Sequence, residues 1–442
     1  MNSSHSTTRL ETALRRFRDL YGDGDVILVR APARINILGE HVDYVSYLPT
    51  ASLPFGSKQH EMLMFFRASG NDRVEGASTN ESFEPFSFAL GDEEVPEQSE
   101  QSWESYVFNR PALTPHWSNY VKGSFFFARW KYGSALKRGI TFLVDSTIPP
   151  NSGASSSSAL VVLAGAAIRQ VNQIECRREE LASDSSEAEW YLGTRGGALD
   201  HRTICLARRG YALHIRHWNQ QVEYIPLPDE GYRWVTFFSH KADKGHEVML
   251  EYNERAAVSR FLIPAIREAK IDVPETITLD EFAQLFPQAF HQCERAFPDL
   301  VRERRLRPLK VLDRMKHHAG EVSLVSAAIE VASGAVPVDV RMRTLGELIN
   351  TSHLSLRNYY EVSTPEVEQL RDEILRDRLV CGARLMGGGF GGNVLALTTA
   401  ENVPALVDRV QTEYYRPRGR HGIKEGSVMV STPGDGLSTL EL

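Results

Sequence analysis

Pro149-Pro-Asn-Ser-Gly-Ala-Ser-Ser-Ser-Ser-Ala-Leu160 runs directly into Val161-Val-Leu-Ala-Gly-Ala-Ala167. The first stretch is turn-forming, and it delivers four consecutive serines, Ser155 to Ser158, to the start of the second. The second is a strong helix former, apolar nearly all round, which places its helix inside a core. Unpaired N–H groups at such a helix start point outward with the positive end of the helix dipole, and serine hydroxyls add donors. Gly153 and Ala154 leave the approach unobstructed. A serine-capped helix without a ligand is the plainer reading, because serine is a favoured N-cap. Four serines behind a Pro-x-x-x-Gly turn favour a polyphosphate site instead.

Working outward, Thr141 to Val144 and Val26 to Arg30 are apolar runs suited to buried strands, and Glu11 to Leu20 suits a short helix. Residues 91 to 118 are acidic, then rich in Pro, Trp and Asn, and read as a long surface excursion. The texture turns polar between Arg216 and Gly231, which sets an expected division into domains 25–218 and 219–442. Beyond it the chain is helix-rich, with Val403, Leu406, Val407, Val410 and Tyr414 at helical spacing. Ala383 to Met386 and Val394 to Leu397 read as short strands flanking a glycine cluster. The fold class is α+β in two layers, with the glycine-rich elements of both halves able to meet at one cleft.

Bulk properties narrow the function. At 442 residues the chain exceeds the usual single-core size. Hydrophobic residues at 42% and charged residues at 24% exclude disordered and fibrous classes. A formal charge of −7 speaks against a nucleic-acid binder, which carries a basic excess. No apolar run approaches the roughly 20 residues that span a bilayer. The polar start, Met1 to Leu10, shows no secretory signal. Cys176, Cys205, Cys293 and Cys381 are widely spaced, which fits free thiols in a reducing cytoplasm.

A second candidate phosphate loop is Met386-Gly-Gly-Gly-Phe-Gly-Gly-Asn-Val394. It satisfies G-x-G-x-x-G formally, but a dinucleotide fingerprint must open a helix, and here a strand follows. The downstream motifs of a protein kinase are missing, as is any Walker A sequence. What survives is a glycine turn that permits close backbone approach to a ligand, or an unliganded hairpin. Ala31-Pro-Ala-Arg-Ile-Asn-Ile-Leu-Gly-Glu-His-Val-Asp-Tyr44 concentrates Arg34, Asn36, Glu40, His41 and Asp43 just after a strand. Solvated charges are routine on loops, but the interleaved Ile35, Ile37 and Leu38 hold this segment against a core. Asp200, in Gly196-Gly-Ala-Leu-Asp-His201, fits either a helix cap or a catalytic carboxylate. His317-His318 has no H-E-x-x-H context and is expected on a solvated helix face rather than at a metal.

Taken together, the segments APARINILGEHVDY, PPNSGASSSSAL and LMGGGFGGNVLAL resemble, in order and separation, the three signature motifs of the GHMP kinases, and within them the galactokinases. Trp117-Ser-Asn-Tyr-Val-Lys-Gly123, Glu251-Tyr-Asn-Glu-Arg255 and Ser352-His-Leu-Ser-Leu-Arg-Asn-Tyr-Tyr-Glu-Val-Ser363 extend the likeness from about Val29 to the Gly422-Ile-Lys-Glu stretch. The resemblance implies the two-domain GHMP kinase fold: an N-terminal domain like ribosomal protein S5 domain 2, a ferredoxin-like α+β C-terminal domain, and an active site in the cleft between them. It implies ATP and Mg²⁺ as cofactors, with Arg34 and Asp200 as the catalytic pair. Glu40, His41, Asp43 and Tyr252 would hold the sugar. Asn151, Gly153, Ser155, Ser156, Gly388 and Gly389 would lie along the nucleotide, and Ser157 and Glu189 would reach the metal.

The chain also departs from that pattern. Ala33 stands where glycine is usual, and Leu199-Asp200-His201 replaces Met-Asp-Gln. Val45-Ser46-Tyr47 replaces the usual Asn-Gly-Gly, Asn393 replaces a common cysteine, and the metal glutamate counts back to Ala188, beside Glu187 and Glu189. The expected activity is transfer of the ATP γ-phosphate to the anomeric hydroxyl of galactose or a related sugar. The alternatives are N-acetylgalactosamine or another sugar as acceptor, or a sugar and ATP sensor without turnover. The expected partners are a small-molecule sugar and ATP, with neither nucleic acid nor membrane, and a protein partner is left open.

Overall fold

Val26–Arg30 opens a strand that does not stop where the apolar run ends. In the computed structural model, which describes residues 3–108, 110–111, 113–150, 153–193, 196–227, 231–241, 245–420 and 426–442, β1 spans Ile27–Asn36. From Ala31 onward the strand is enclosed on both faces: Ala31, Ala33 and Ile35 are fully buried, and Pro32, Arg34 and Asn36, between and after them, are buried too. There follow β2 (Ala51–Ser52), β3 (Pro54–Ala68), β4 (Arg73–Ser78), β5 (Phe86–Ala89), β6 (Ile140–Ser146), β7 (Tyr211–Arg216) and β8 (Val222–Pro226). The second half adds β9 (Tyr232–Phe238), β10 (Val380–Met386), β11 (Asn393–Thr399), β12 (Val428–Ser431), β13 (Pro433–Gly434) and β14 (Ser438–Glu441).

These strands make a seven-stranded sheet ordered β14-β1-β3-β6-β4-β5 with β13 beside β3, a four-stranded sheet β10-β11-β9-β12, and a three-stranded sheet β2-β7-β8. β1 and β3 pair antiparallel, and their register shifts between Pro32 and Arg34. Such an irregularity re-aims the side chain that follows it. Arg34 is that side chain.

The helix predicted after the serines is Ser156–Val171. It packs on β1 and β3 and against helices Ser118–Tyr132, Arg178–Glu189 and Leu199–Leu206. Its mostly apolar circumference is explained by those neighbours: Val161, Val162, Leu163, Ala164, Ala167 and Ile168 are all fully buried. In the second half, helices Val311–Ser333 and Val338–Ser355 lie together, and the latter covers β10. One continuous apolar core joins the halves, running from Val29 and Ala154 to Leu345 and Met386. That shared core fixes the two glycine-rich turns relative to each other.

Some expectations change. The short helix expected at 11–20 is longer, Ser3–Tyr21. The 91–118 stretch is not wholly superficial: it contains helix Trp103–Phe108, in which Trp103 is buried and donates Nε1–H to Glu187 O at 2.8 Å. The division expected at 218/219 falls in the turn between the paired strands β7 and β8. β14 and β13 return from the far end of the chain to the first sheet, with Glu441 opposite Ile27 and Pro433 opposite Ser57. Among the described residues no helix is long and apolar enough to cross a membrane.

Helix Val338–Ser355 approaches β10 through paired glycines. A Cβ on Gly346 would lie 2.2 Å from Cys381 O, and one on Gly382 would lie 2.1 Å from Gly346 O. Alanine is the better helix former by about 1 kcal/mol, but the obstacle here is backbone, which cannot give way. Overpacking of this kind costs about 1–3 kcal/mol. Gly346→Ala is therefore expected to lower the melting temperature by several degrees, read by thermal unfolding; an unchanged or raised value would contradict this packing.

Candidate active site

The serine turn has an unusual start. Ser155 occupies the N-cap of helix Ser156–Val171 with φ 61°, and its side chain makes no capping bond. Its hydroxyl instead donates to Asp200 Oδ2 at 2.5 Å. The plain serine-cap reading therefore fails at the residue where it should hold. Gly153 precedes it with φ 76°, close enough to the third motif that a Cβ would stand 3.2 Å from Met386 O. Ser156 and Ser157 face a cavity of about 570 Å³ also bounded by Arg34, Gly153, Ser155, Asp200, Gly387 and Gly388. Its other wall is largely apolar and aromatic, with Phe83, Trp117, Tyr120, Ile148 and Leu160, and with Asn80 among them. Asn151 lies outside the described residues.

Arg34 and Asp200 meet at the cavity. Arg34, 5% exposed, donates Nε–H to Asp200 Oδ1 at 2.7 Å and its terminal nitrogen to Gly153 O at 3.2 Å. Its backbone N–H is bonded to Ala154 O at 3.2 Å, so strand and serine turn share one frame. Burial works to raise the Asp200 carboxyl, but the charge and hydrogen bond of Arg34, with the Ser155 hydroxyl, override it and hold Asp200 below the usual carboxylate range. Asp200 lies in the first turn of helix Leu199–Leu206, whose cap residue is Ala198, so it is not itself a cap.

Asp43 is the second carboxyl of this corner, and its environment is opposite in effect. Burial pushes it up to about 6, and the nearby Asp200 charge adds to this while Arg260 opposes it. The absence of a side chain at Gly197 makes room: a Cβ there would lie 2.2 Å from Asp43 Oδ2. Burial raises the Tyr252 hydroxyl well above its ordinary range, and Asp43 adds to the effect, so Tyr252 stays protonated. Tyr252 projects from helix His246–Ala257, which carries the whole Glu251–Arg255 segment.

Glu40 and His41 are placed differently from one another. Glu40 Oε2 is ion-paired with Arg384 of β10 and accepts the Gly387 N–H at 3.1 Å, so this carboxylate ties the first motif to the third. His41 adopts φ 58°, and its ring lies 4.7 Å from Tyr360 and 6.0 Å from Tyr252 between centroids. Burial, reinforced by His317 and Arg255, holds His41 well below the ordinary histidine value, so it is neutral. The solvated face expected for His317-His318 is corrected: both are fully buried. His317 bridges Glu40 O at 3.1 Å and Ser355 Oγ at 2.9 Å, and His318 meets the Tyr47 hydroxyl at 2.6 Å. Adjacent helical residues seldom share a face, but the segment carrying Glu40 and Tyr47 wraps both.

The two glycines singled out in the third motif serve different needs. Gly388 borders the cavity, and a Cβ there would meet nothing within 4 Å. Gly389, with φ 83°, backs onto Val362, whose Cβ would be 2.5 Å from an added one, so packing forbids a side chain there. Glu189 Oε2 accepts the Ser158 hydroxyl at 2.9 Å and lies 2.9 Å from His201 Nε2. Ser157, the neighbouring helical position, lines the cavity. The residues missed by the sequence reading are Asn80 and Phe83, on the turn after β4; no pattern marks them, since only the fold brings that turn to the serines. Trp117 stood in a quoted segment, and its Nε1–H bond to Glu84 O at 2.7 Å fixes it on the same wall.

The GHMP kinases N terminal domain matches residues 119–208, the GHMP kinases C terminal domain 339–416, and the galactokinase galactose-binding signature 15–51. Galactokinase of Chloroflexus aggregans is 30% identical over 441 residues, 97% of each chain. Galactokinase of Bos taurus is 28% identical over 410 residues, 92% of each. The crystal structure of Lactococcus lactis galactokinase complexed with galactose superposes with a TM-score of 0.75 at 25% identity, covering 98% of this chain and 100% of that one. A mevalonate kinase at 14% identity and TM-score 0.54 shares the fold.

The two carboxyls make a test. A carboxyl raised in the folded state binds more protons folded than unfolded between the two pKa values, so stability is lost as pH rises through the folded value. For Asp43 that window runs from the ordinary aspartate range up to about 6. Asp43→Asn is thus expected to raise the melting temperature at pH 7.5, with the gain shrinking towards pH 4.5. Melting curves across that range decide it, and a gain independent of pH would contradict the burial argument.

Proposed function

We infer, from the premise that this chain belongs to the GHMP kinases and within them to the galactokinase family, that it is an ATP-dependent sugar kinase acting on the anomeric hydroxyl of galactose. The observation carrying this is the linkage Arg34–Asp200–Ser155 in the lining of a cavity that a helix N-terminus and Gly387–Gly388 also line. Phosphoryl transfer asks mainly for alignment and charge stabilisation, and this arrangement supplies both.

The Ser156 and Ser157 end of the helix receives the ATP phosphates, and the aromatic wall with Phe83 and Trp117 receives the base. Asp43 and Tyr252, with His41 and Glu40, hold the sugar hydroxyls. Asp200 orients the anomeric hydroxyl and takes its proton as the oxygen attacks the γ-phosphorus and ADP departs. Arg34 keeps Asp200 ionised and stabilises the charge on the transferring group. A carboxylate held ionised is a weak base, so orientation in a loose transition state carries more of the rate than proton removal.

A divalent metal fits the donors present. Ser157 offers a hydroxyl at the cavity and Glu189 a carboxylate bonded to the adjacent Ser158, the hard-oxygen chemistry that suits Mg²⁺. Bound there with ATP, Mg²⁺ would neutralise phosphate charge. The division into N- and C-terminal domains is drawn beyond β8, since 218/219 would part the paired strands β7 and β8, with β13 and β14 as a returning tail. The four free cysteines, in no disulfide, support a cytoplasmic setting.

ADP release with ATP and Mg²⁺ over galactose, N-acetylgalactosamine, glucose, arabinose and glucuronic acid tests the reading, with galactose expected to give the highest kcat/KM. Asp200→Asn is expected to lose at least about a hundredfold in turnover while remaining folded. Full activity in that variant would end this mechanism, and association with a protein partner on galactose without ADP release would favour the sensor. Glu189→Gln is expected to raise the Mg²⁺ concentration needed for half-maximal rate.

A further inference from the structure

Behind the sugar-side residues runs a file of buried hydrogen bonds that the transfer itself does not use. Tyr47 Oη lies 2.6 Å from His318 Nδ1, and His318 Nε2 lies 3.2 Å from Ser259 Oγ. Ser259 Oγ is 3.4 Å from Tyr360 Oη, which is 2.8 Å from Tyr44 Oη, which is 3.1 Å from His41 Nδ1. The file starts at a half-buried tyrosine and ends at a histidine of the sugar site.

Its outer end has a fixed proton order. Ser259 Oγ donates its proton to Arg255 O at 2.7 Å, so towards His318 it can only accept. Burial, reinforced by His317, His41 and Arg314, keeps His318 neutral, with a single N–H. That N–H is therefore on Nε2, and Nδ1 accepts from the Tyr47 hydroxyl. Every partner on this stretch is determined, so a hydroxyl removed from Tyr47 leaves a buried acceptor bare rather than rearranged.

Tyr47 stands where the chain departs from the usual Asn-Gly-Gly, four residues after Asp43. A glycine pair would leave that segment conformationally loose. Here the tyrosine ring lies under Arg267, 5.6 Å from the guanidinium carbon, and its hydroxyl reaches helix Val311–Ser333. The segment carrying His41 and Asp43 is thereby fastened to the second half of the molecule.

We propose that Tyr47 and His318 are a positioning pair for the sugar site, fixing His41 and the Asp43 segment through Ser259, Tyr360 and Tyr44. This rests on the galactose-kinase reading above. The pair touches no substrate and acts on sugar binding, not on ATP.

Tyr47→Phe keeps the ring and its packing and removes one hydroxyl. Steady-state kinetics on the full chain are expected to show the KM for galactose raised about five-fold, the worth of one buried hydrogen bond, with the KM for ATP moved less than about twofold. His318→Gln should act on the same constant, and the double variant should be no worse than the poorer single, since the two share one network. Melting curves with and without galactose check the fold: the Tyr47→Phe protein still unfolds in one cooperative transition, a few degrees lower without sugar because His318 Nδ1 is left unpaired, and in addition loses part of the rise that galactose induces. A galactose KM equal to the parent's, or galactose and ATP constants that worsen together, overturns the proposal. A parent chain that releases no ADP with galactose overturns the functional reading instead, and the two failures are thus distinct.

Discussion

A carboxylate and a guanidinium, Glu40 of the first motif and Arg384 of β10, are buried against each other at the junction of the two halves. Arg384 also reaches Ile37 O at 3.1 Å and Ser352 Oγ at 3.3 Å, and Glu40 takes the Gly387 N–H as well. From the second half, Glu321 accepts the Gly39 N–H at 2.8 Å. A buried ion pair is poor evidence for stability, since desolvation offsets the attraction. Its effect is on geometry. Any arrangement of the halves that parts these groups leaves a bare charge in a dry interior, so the pair selects the one in which the glycine turn faces the serine turn.

Within that frame two like groups receive unlike treatment. Asp200 and Asp43 are both enclosed carboxyls, yet Arg34 and Ser155 draw one down while burial and its neighbour lift the other. The difference arises from placement: the register shift in β1 turns Arg34 towards the helix start at Leu199, whereas Asp43 lies against the bare backbone of Gly197. One carboxyl is thereby committed to charge and the other sits within reach of exchange with solvent protons near neutrality.

Much of this was legible in the residues. The serine helix and the strands around the glycine cluster are where local composition places them, because each is a short apolar run bounded by turn residues, whereas the helix bearing Tyr252 was implied by likeness. The Arg34–Asp200 pairing was implied only by likeness, since the partners are 166 residues apart and no local rule joins them. The histidine pair was misjudged for a related reason. A window of sequence sees two polar residues side by side on a helix; it does not see a loop from the first third of the chain arriving with a carbonyl for one and a hydroxyl for the other. Burial of Trp103 and the aromatic wall at Phe83 are likewise products of long-range closure.

The return of β14 to pair with β1 bears on how the molecule is made. Ile27 and Glu441 are neighbours across a ladder although nearly the whole chain separates them. As the polypeptide leaves the ribosome, one edge of β1 stays without its ladder partner until β14 emerges. Contacts of such separation fold late and leave sticky edges in the interval. Helix Ser3–Tyr21, whose Phe17 packs with Leu28 and Phe65, precedes β1 in the chain and can shield that region during the delay.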